Sequence, residues 1–454
     1  MEEEGSTVEE RYMRKFLWAG SIILALPLDL AAAETKIPSV SAWATLPFLV
    51  LLLAIALMPL LHRHWWEKYY PIVSLGLGFV VFSHYVISVS AGRMFESLLE
   101  YFSFITLIGS LFVVAGGIYL HTERHATPLV NVAMLAVGAV VSNLVGTTGA
   151  SMLLIRPFIR INKPRIRGYH VVFFIFVVSN VGGALTPIGD PPLFLGYLNG
   201  VPFTWTIWRI WPIWLLALGL ILAAFYFVDT HSYTRWLEGR HRPAGGTRFE
   251  VLGTQNFFFL LIILAAVFAS TPAREVVMIA AAAAAYRFAK KAALKANEFS
   301  FTPIREVGVL FAGIFATMVP ALDWLALNAD RLGIKTPGAF FWSSGALSSF
   351  LDNAPTYLNF LSAALGLQGL ALGDPAHMKV FITEHARFLQ AISAGAVFFG
   401  ACTYIGNGPN FMVKSIAEHA GVECPTFIEY IWRYSLPILI PAFALVWLVF
   451  FRQA

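Results

Sequence analysis

The sequence predicts an all-α polytopic membrane protein with about ten crossing helices in two inverted repeats. Hydrophobic residues make up 58% of the 454 residues and charged residues only 13%, which is too apolar a balance for a soluble protein of this length. Apolar runs long enough to span a bilayer recur along the chain. Two short polar segments also occur twice, in the same order, once in each half. Each repeat is therefore predicted to contain a re-entrant helical hairpin and a discontinuous helix.

The N-terminal segment at 1–33 is predicted to be an extension that contains a signal peptide. Arg14 and Lys15 precede an apolar run at 16–28, and three alanines at 31–33 follow it. This order of charged, apolar and small residues is typical of a secretory signal. An uncleaved first helix is the alternative.

Simple crossing helices are predicted where an apolar run has the length of a bilayer. Two shorter runs, at 257–271 and 274–290, predict a tight helical pair. The six simple crossing helices are predicted at 41–61, 69–90, 101–120, 203–228, 304–327 and 427–450.

Four stretches that carry the repeated polar segments do not fit simple crossing helices. Residues 128–155 and 338–365 each have a polar tip near the middle, which predicts a hairpin that enters the membrane and returns. Residues 170–199 and 388–421 are longer than one span and are interrupted by Gly-Asp-Pro-Pro and Gly-Asn-Gly-Pro. Because proline lacks an amide donor and disfavours helix before it, both are predicted to be discontinuous helices.

The distribution of basic residues predicts the orientation in the membrane. Positive charges are concentrated in cytoplasmic loops of membrane proteins. Five Lys and Arg lie at 156–168, four at 231–250 and four at 287–298, whereas 91–99 holds one, 328–337 two and 366–387 two. The first three loops are thus predicted to be cytoplasmic, so that the two hairpins open to opposite sides. Labelling of engineered cysteines at 156–168 and 366–387 from either side would check this orientation.

The predicted division of the chain follows from these elements. After the extension, we expect N-terminal scaffold helices at 34–120, a first repeat at 121–228, a cytoplasmic basic linker at 229–256, second-repeat scaffold helices at 257–337 and the rest of the second repeat at 338–454.

The polar segments supply oxygen ligands at the predicted middle of the membrane. Paired interruptions in two hydrophobic halves indicate the substrate site of a secondary transporter. Oxygen ligands suit a hard cation such as sodium, and broken helices add backbone carbonyls. The predicted ion-binding residues are Asn143, Thr147, Thr148, Thr186, Asp190, Asp352, Asn353, Thr356, Thr403 and Asn407.

The two aspartates favour a cation over an organic anion. No Lys or Arg lies in the hairpin tips or the helix breaks, whereas a polyanion would normally be held by such groups. Asp190 and Asp352, with Asn143 and Asn353, are predicted to bind sodium. If protons and sodium compete for the carboxylate pair, antiport results. The alternative for the asparagines and threonines is a structural role at helix ends. Asp323 is expected to face water near the end of its span.

Four strings resemble those of NhaD-type sodium/proton antiporters and the related citrate transporters of the ion transporter superfamily. They are VSNLVGTTGAS at 141–151, LTPIGDPPLF at 185–194, LDNAPTYLN at 351–359 and TYIGNGPN at 403–410. The resemblance implies a homodimer with a scaffold domain and a mobile transport domain that moves like an elevator. It also implies an inner (plasma) membrane protein.

Several functions remain open on the sequence alone. A sodium- or proton-coupled citrate or dicarboxylate transporter is the main alternative to the antiporter. An intramembrane aspartyl protease is a remote alternative, because Pro187 stands where the Gly-x-Gly-Asp pattern of those enzymes needs glycine. We therefore expect no enzyme activity, no cofactor beyond transported sodium ions and protons, and no nucleic acid partner. The expected partners are the lipid bilayer, a small cation or carboxylate, and a second copy of the chain.

Overall fold

The computed structural model describes residues 37–122, 126–238 and 249–452. The predicted signal peptide, and residues 239–248 of the predicted basic linker, lie outside the described residues. The described chain is almost entirely helical. Its helices are α1 (Leu46–Leu61), α2 (Arg63–Ser88), α3 (Ala91–Gly116), α4 (Pro128–Asn162), α5 (Gly168–Val177), α6 (Pro191–Leu198), α7 (Phe203–Leu237), α8 (Gln255–Ala266), α9 (Ala273–Phe288), α10 (Lys291–Ala296), α11 (Thr302–Asn328), α12 (Pro337–Ser348), α13 (Asn353–Leu367), α14 (Pro375–Glu384), α15 (Ala386–Phe399), α16 (Gly408–His419) and α17 (Phe427–Phe450).

Smaller elements complete the described chain. Strands β1 (Tyr119–Thr122) and β2 (Phe249–Leu252) pair antiparallel. Short 3-10 helices lie at Ala42–Thr45, Val181–Leu185, Ala329–Leu332 and Gly400–Cys402. The middle of α17, Ile431–Leu439, is π-helical and contains Pro437. Since proline removes one backbone donor, an altered hydrogen-bond pattern at this position is expected.

Length and composition confirm an all-α membrane protein with many passes. Eight helical segments of the described residues, counted with the 3-10 turns that adjoin them, are long and apolar enough to cross a membrane. The predicted tight pair is present as α8 and α9, which are shorter than a full span.

The chain divides into two compact units. The first consists of residues 37–117 with Gly253–Arg331 and Ser362–Asp374, and the second consists of Ile118–Leu252 with Leu332–Leu361 and the residues from Pro375 onwards. The repeated polar segments all fall in the second unit.

In the first unit, small residues let α2 and α11 approach closely. A Cβ atom added at Gly313 would lie 2.2 Å from the Ser74 hydroxyl oxygen, and the Ser74 hydroxyl donates to the Val309 carbonyl at 3.0 Å. Small residues at a helix crossing permit this contact between backbones in a membrane.

The expectation that Asp323 faces water is wrong. Its side chain is fully buried in the first unit, where it accepts hydrogen bonds from the Tyr85 hydroxyl at 2.8 Å and from the Arg93 guanidinium. These partners come from α2 and α3, more than 200 residues earlier in the chain. A buried carboxylate is stable only when it is paired in this way, and the pairing could not be inferred from the position of Asp323 within its own helix.

In the second unit, α4 is the predicted first hairpin. Gly146 has φ of +75° in its middle and interrupts the helical geometry there; glycine adopts this conformation readily. The two ends of α4 meet, because the Ala126 amide donates to the Ile161 carbonyl at 3.2 Å and Asn131 bonds to Asn162. The hairpin is confirmed, and its second leg continues seven residues beyond the predicted end at 155.

The second hairpin is formed by α12 and α13. The rings of Phe340 and Phe360, on the two legs, lie 6.0 Å apart in an edge-to-face contact. The turn between the legs ends at Asp352, whose carboxylate accepts a hydrogen bond from the Ala354 amide at 3.0 Å. This bond caps the start of α13, so the predicted hairpin at 338–365 is confirmed.

Both predicted discontinuous helices are also confirmed. In the first, α5 passes into the 3-10 turn, then into a turn at 187–189 flanked by the extended residues Thr186 and Asp190, and resumes as α6. In the second, α15, its 3-10 turn and α16 follow the same order, with extended residues Thr403 and Asn407 at the break.

The two broken helices run in opposite directions. A Cβ atom added at Gly168, where α5 begins, would lie 2.7 Å from the carbonyl oxygen of Glu423, which follows α16. A Cβ atom added at Gly200, after α6, would lie 3.5 Å from Met378, which precedes α15. The start of each broken helix is therefore close to the end of the other.

The hairpins open at opposite ends of these helices. The first hairpin returns to Asn162, six residues before α5 begins. The second begins near α15, since the rings of Phe340 and Phe388 lie 5.4 Å apart. The inverted arrangement of the repeats is thus present in the second unit. Which end faces the cytoplasm stays a prediction.

Candidate functional site

Asp190 is at the centre of the site. It precedes α6, and its side chain has no exposed surface. Its carboxylate accepts hydrogen bonds from the Thr147 hydroxyl at 2.8 Å, the Asn353 amide at 2.6 Å and the Asn407 amide at 3.2 Å. These donors come from the tips of both hairpins and from the break of the second broken helix. The structure therefore brings together four of the predicted residues that lie up to 260 residues apart.

The donors around Asp190 are all neutral. Among the described residues, no Lys, Arg or His forms an ion pair with Asp190 or with Asp352. An ionised carboxylate in such a place is costly, because neutral hydrogen bonds do not cancel its charge. A proton or a bound cation would provide the missing compensation.

Asp352 lies one residue before Asn353 but has a different environment. Its side chain is half-buried, and one carboxylate oxygen accepts from the Ala354 amide as the cap of α13. The two aspartates are not equivalent, since Asp190 is surrounded by side-chain donors and Asp352 is held by its own helix. A cation beside Asn353 would still be close to both.

Asn353 carries an acceptor that the protein leaves unused. While its amide nitrogen donates to Asp190, its side-chain oxygen is buried and has no hydrogen-bond partner among the described residues. The buried side-chain oxygen of Asn359, two turns along α13, is also without a partner there. Buried acceptors are normally satisfied, so the Asn353 oxygen beside the buried carboxylate is free to accept from or coordinate a further group.

Asn143 joins the first hairpin to the first broken helix. Its amide nitrogen donates to the carbonyls of Ala139 and Gly182, and its oxygen accepts from the amides of Leu185 and Thr186. All of its hydrogen-bonding groups are therefore engaged with backbone. Asn143 therefore holds the first hairpin against the first broken helix and is not among the donors to Asp190.

Thr186 and Thr403 occupy matching places in the two repeats. The Thr186 hydroxyl donates to the Asn143 carbonyl at 2.6 Å and accepts from the Gly189 amide at 3.0 Å. The Thr403 hydroxyl donates to the Ser349 carbonyl and accepts from the Gly406 amide at 3.1 Å. Each threonine therefore ties the break of a broken helix to the tip of its own hairpin.

The remaining predicted threonines stand apart from Asp190. The Thr356 hydroxyl donates to the backbone carbonyl of Asp352 at 2.9 Å, a bond within one helical turn. Thr148 is half-buried and takes no part in the hydrogen bonds to Asp190.

Asn180 is a member of the network that sequence reasoning missed. It is fully buried, donates to the Asn410 side chain at 2.7 Å and accepts from Asn407 at 3.2 Å. Asn410 in turn donates to the carbonyls of Gly400 and Thr403. The signal in the sequence was an asparagine within the apolar run at 171–185. A polar side chain in such a run is costly unless it has a hydrogen-bond partner.

A buried cluster around Asp229, at the base of the first hairpin, was also not predicted from the sequence. Asp229 of α7 is fully buried and accepts from Arg165, from the Tyr169 hydroxyl at 2.6 Å and from the Asn131 amide at 2.9 Å. The His170 ring nitrogen lies 3.2 Å from the same carboxylate. The cluster joins the first leg of the hairpin and the segment that follows its second leg to α5 and α7.

The polar groups around Asp190 are oxygen and amide donors and acceptors. Groups of three or more His, Cys, Asp and Glu that could hold a metal ion do not occur in the described part of the chain. Carboxylate, amide and carbonyl oxygens are present instead, and hard cations prefer oxygen ligands.

Gly189→Ala should disrupt the site, whereas Gly408→Ala should be tolerated. A Cβ atom at Gly189 would lie 2.1 Å from the Gly183 carbonyl oxygen, while at Gly408 nothing lies within 4 Å. Both glycines belong to the helix breaks, so the pair controls for the loss of glycine itself. We expect a destabilisation of about 1–3 kcal/mol or more for Gly189→Ala, measured by thermal unfolding in detergent. Equal melting temperatures for the two variants would contradict this packing.

One family model matches most of the chain. The model of the CitMHS_2 family, described as "Putative citrate transport", matches residues 37–451. A search of curated proteins gave no match. The matched range includes both hairpins and both broken helices.

Proposed function

We propose that this chain, which belongs to the CitMHS_2 citrate-transport family, is a secondary transporter that exchanges sodium ions for protons at Asp190. Family membership supports secondary transport as such. The observation that carries the choice of ion is a fully buried carboxylate held only by the neutral donors Thr147, Asn353 and Asn407. Such a carboxylate requires a positive charge, and both a proton and a sodium ion supply one.

Competition for Asp190 would couple the two ions. A proton bound to the carboxylate removes the charge that attracts sodium, and a sodium ion bound there displaces the proton. The unused oxygen of Asn353 and the carboxylate of Asp352 are the nearest additional ligands for the cation. Sodium is carried in one direction and protons in the other, so the gradient of one ion drives the transport of the other.

The inverted repeats supply a route for alternating access. The hairpins open at opposite ends of the broken helices, yet both tips donate to Asp190 through Thr147 and Asn353. Displacement of one tip would open the site to one side while the other stays closed. The second unit contains every proposed ligand, which fits an elevator mechanism with this unit as the transport domain. A homodimer in the inner membrane, with sodium and protons as the transported ions, belongs to the same proposal.

Carboxylate transport is the second candidate, because the family is described by citrate transport. The first turns of α6, α13 and α16 begin at the residues that surround Asp190. The partial positive charge at a helix N-terminus can hold an anion. A carboxylate substrate would then share the site with a coupling cation that neutralises Asp190.

Everted membrane vesicles distinguish the two candidates. Vesicles from cells that lack their own antiporters and express this chain are acidified inside by respiration, and sodium or lithium is then added. We expect the pH gradient to collapse on addition of sodium, because protons leave as the cation enters. Vesicles without the chain serve as the control. No response to either ion, together with sodium-driven citrate uptake by intact cells, would overturn the antiporter in favour of carboxylate transport.

A further inference from the structure

A charged cavity lies in the second unit at the base of the second hairpin. Its volume is about 540 Å³, and it is formed by the start of α7, the residues that precede α12 and the junction of α14 with α15. It is separate from the hydrogen bonds of Asp190, since Asn353, the partner of Asp190 on this hairpin, lies at the tip and not at the base. Neither the proposed ion exchange nor the family assigns a role to it.

The cavity carries an excess of unpaired positive charge. Arg209, Lys335 and Arg387 line it, and none of the three forms an ion pair with another described residue. Glu384 is the acidic lining residue, and His385 is also present. Three cations against one carboxylate leave a net charge of +2 with His neutral. Because the basic groups come from three separate elements, their convergence is produced by the fold and not by one charged stretch.

Helices α12 and α15 begin at the same cavity, and their N-termini add to its positive potential. Thr336 precedes α12 and His385 precedes α15, and both residues line it. No side chain caps the first amides of α15. The partial positive charge at a helix N-terminus favours an anion. The N-termini of α12 and α15 therefore act in the same sense as the three basic side chains, whereas the C-terminus of α14 at Glu384 opposes them.

The surroundings of Arg209 place the cavity at the level of lipid headgroups. Trp208 and Trp211, on either side of Arg209 in α7, are 72% and 48% exposed. Exposed tryptophans on a membrane-crossing helix are enriched at the boundary between lipid and water. Arginine and lysine side chains at this depth suit the phosphate of a lipid headgroup, because they form charge-assisted hydrogen bonds with phosphate oxygens.

We propose that this cavity binds the phosphate headgroup of an anionic phospholipid. Arg209, Lys335 and Arg387 hold the phosphate, and Trp208 and Trp211 contact the region where the headgroup meets the acyl chains. Bound lipid then joins the start of α7 to the bases of α12 and α15 and stabilises the second unit. This site is independent of the ion exchanged at Asp190.

The test uses the purified full chain in a neutral detergent. Phosphatidylglycerol should raise the melting temperature and remain bound in native mass spectrometry, whereas phosphatidylcholine with the same acyl chains should do neither. The triple variant Arg209→Gln, Lys335→Gln, Arg387→Gln should lose the response to phosphatidylglycerol. A control triple variant, Lys290→Gln, Lys291→Gln, Lys295→Gln, removes three exposed charges from the first unit and should keep it.

Three results would overturn the proposal. They are an equal response to phosphatidylcholine, an equal loss in the control triple variant, and an unchanged response in the cavity triple variant. A melting shift with inorganic phosphate or citrate alone, without a lipid response, would instead assign the cavity to a soluble anion. If the cavity triple variant does not purify, Arg209→Gln alone is used, since its side chain is exposed, and a reduced shift is expected. Sodium-dependent proton release is measured separately and does not depend on these outcomes.

Discussion

Asp190→Asn should abolish sodium-dependent proton release in everted vesicles, reducing it to the level of vesicles without the chain. The amide keeps the size of the carboxylate but carries no charge and cannot exchange a proton, so neither ion is bound at this position. Asp190 is fully buried and has neutral donors only. Removal of its charge also removes a desolvation penalty, and we therefore expect the variant to fold and reach the membrane.

The matched control is Asp330→Asn, which makes the same chemical change at an exposed residue of the first unit. It should leave the response to sodium unchanged. Residual sodium-dependent proton release in Asp190→Asn would show that another group carries the proton. Asp352, the second carboxylate near Asn353, would then be the next residue to test by the same substitution.

Asp229→Ala should destabilise the second unit by about 3–5 kcal/mol, because one member of a buried ion pair is removed and the other is left. Arg165 is 7% exposed and donates to Asp229 at 3.0 Å. Tyr169 and Asn131 lose their acceptor at the same time. The measurement is the free energy of unfolding in mixed micelles, with membrane expression as a second readout.

The double variant Arg165→Met, Asp229→Ala separates charge from packing. It removes both partners, so no charge stays buried without compensation, and we expect it to be more stable than Asp229→Ala alone. If the double variant is as unstable as the sum of both single variants, the loss comes from packing at the hairpin base and not from the unpaired arginine.

Local sequence features were sufficient to predict the elements of the second unit. Gly146 at the first hairpin tip and the Gly-Asp-Pro-Pro and Gly-Asn-Gly-Pro interruptions act through the backbone of their own neighbourhood. Their effect on helix geometry does not depend on distant partners. Both hairpins and both breaks were therefore found where they were predicted, with differences of a few residues at the ends.

Partners across long sequence separations were not predictable in the same way. Asn180 was overlooked because its meaning depends on Asn407 and Asn410, more than 220 residues away. Asp323 was expected to face water because its own helix gives no sign of Arg93. Asp229 lies near the end of a long span, where a carboxylate normally reaches water, and its burial becomes apparent only with Arg165 and Tyr169.

The sequence by itself determined the membrane class, the repeated hairpins and broken helices, and the residue types available for a cation. Those properties follow from composition, run length and the local conformations of glycine and proline, each of which acts over a few residues. The tertiary structure decided which of the ten predicted residues meet. It placed Thr147, Asn353 and Asn407 on Asp190 and engaged Asn143, Thr186 and Thr403 with backbone. The physical reason is that a buried carboxylate takes its donors from whichever elements the fold brings within hydrogen-bond distance.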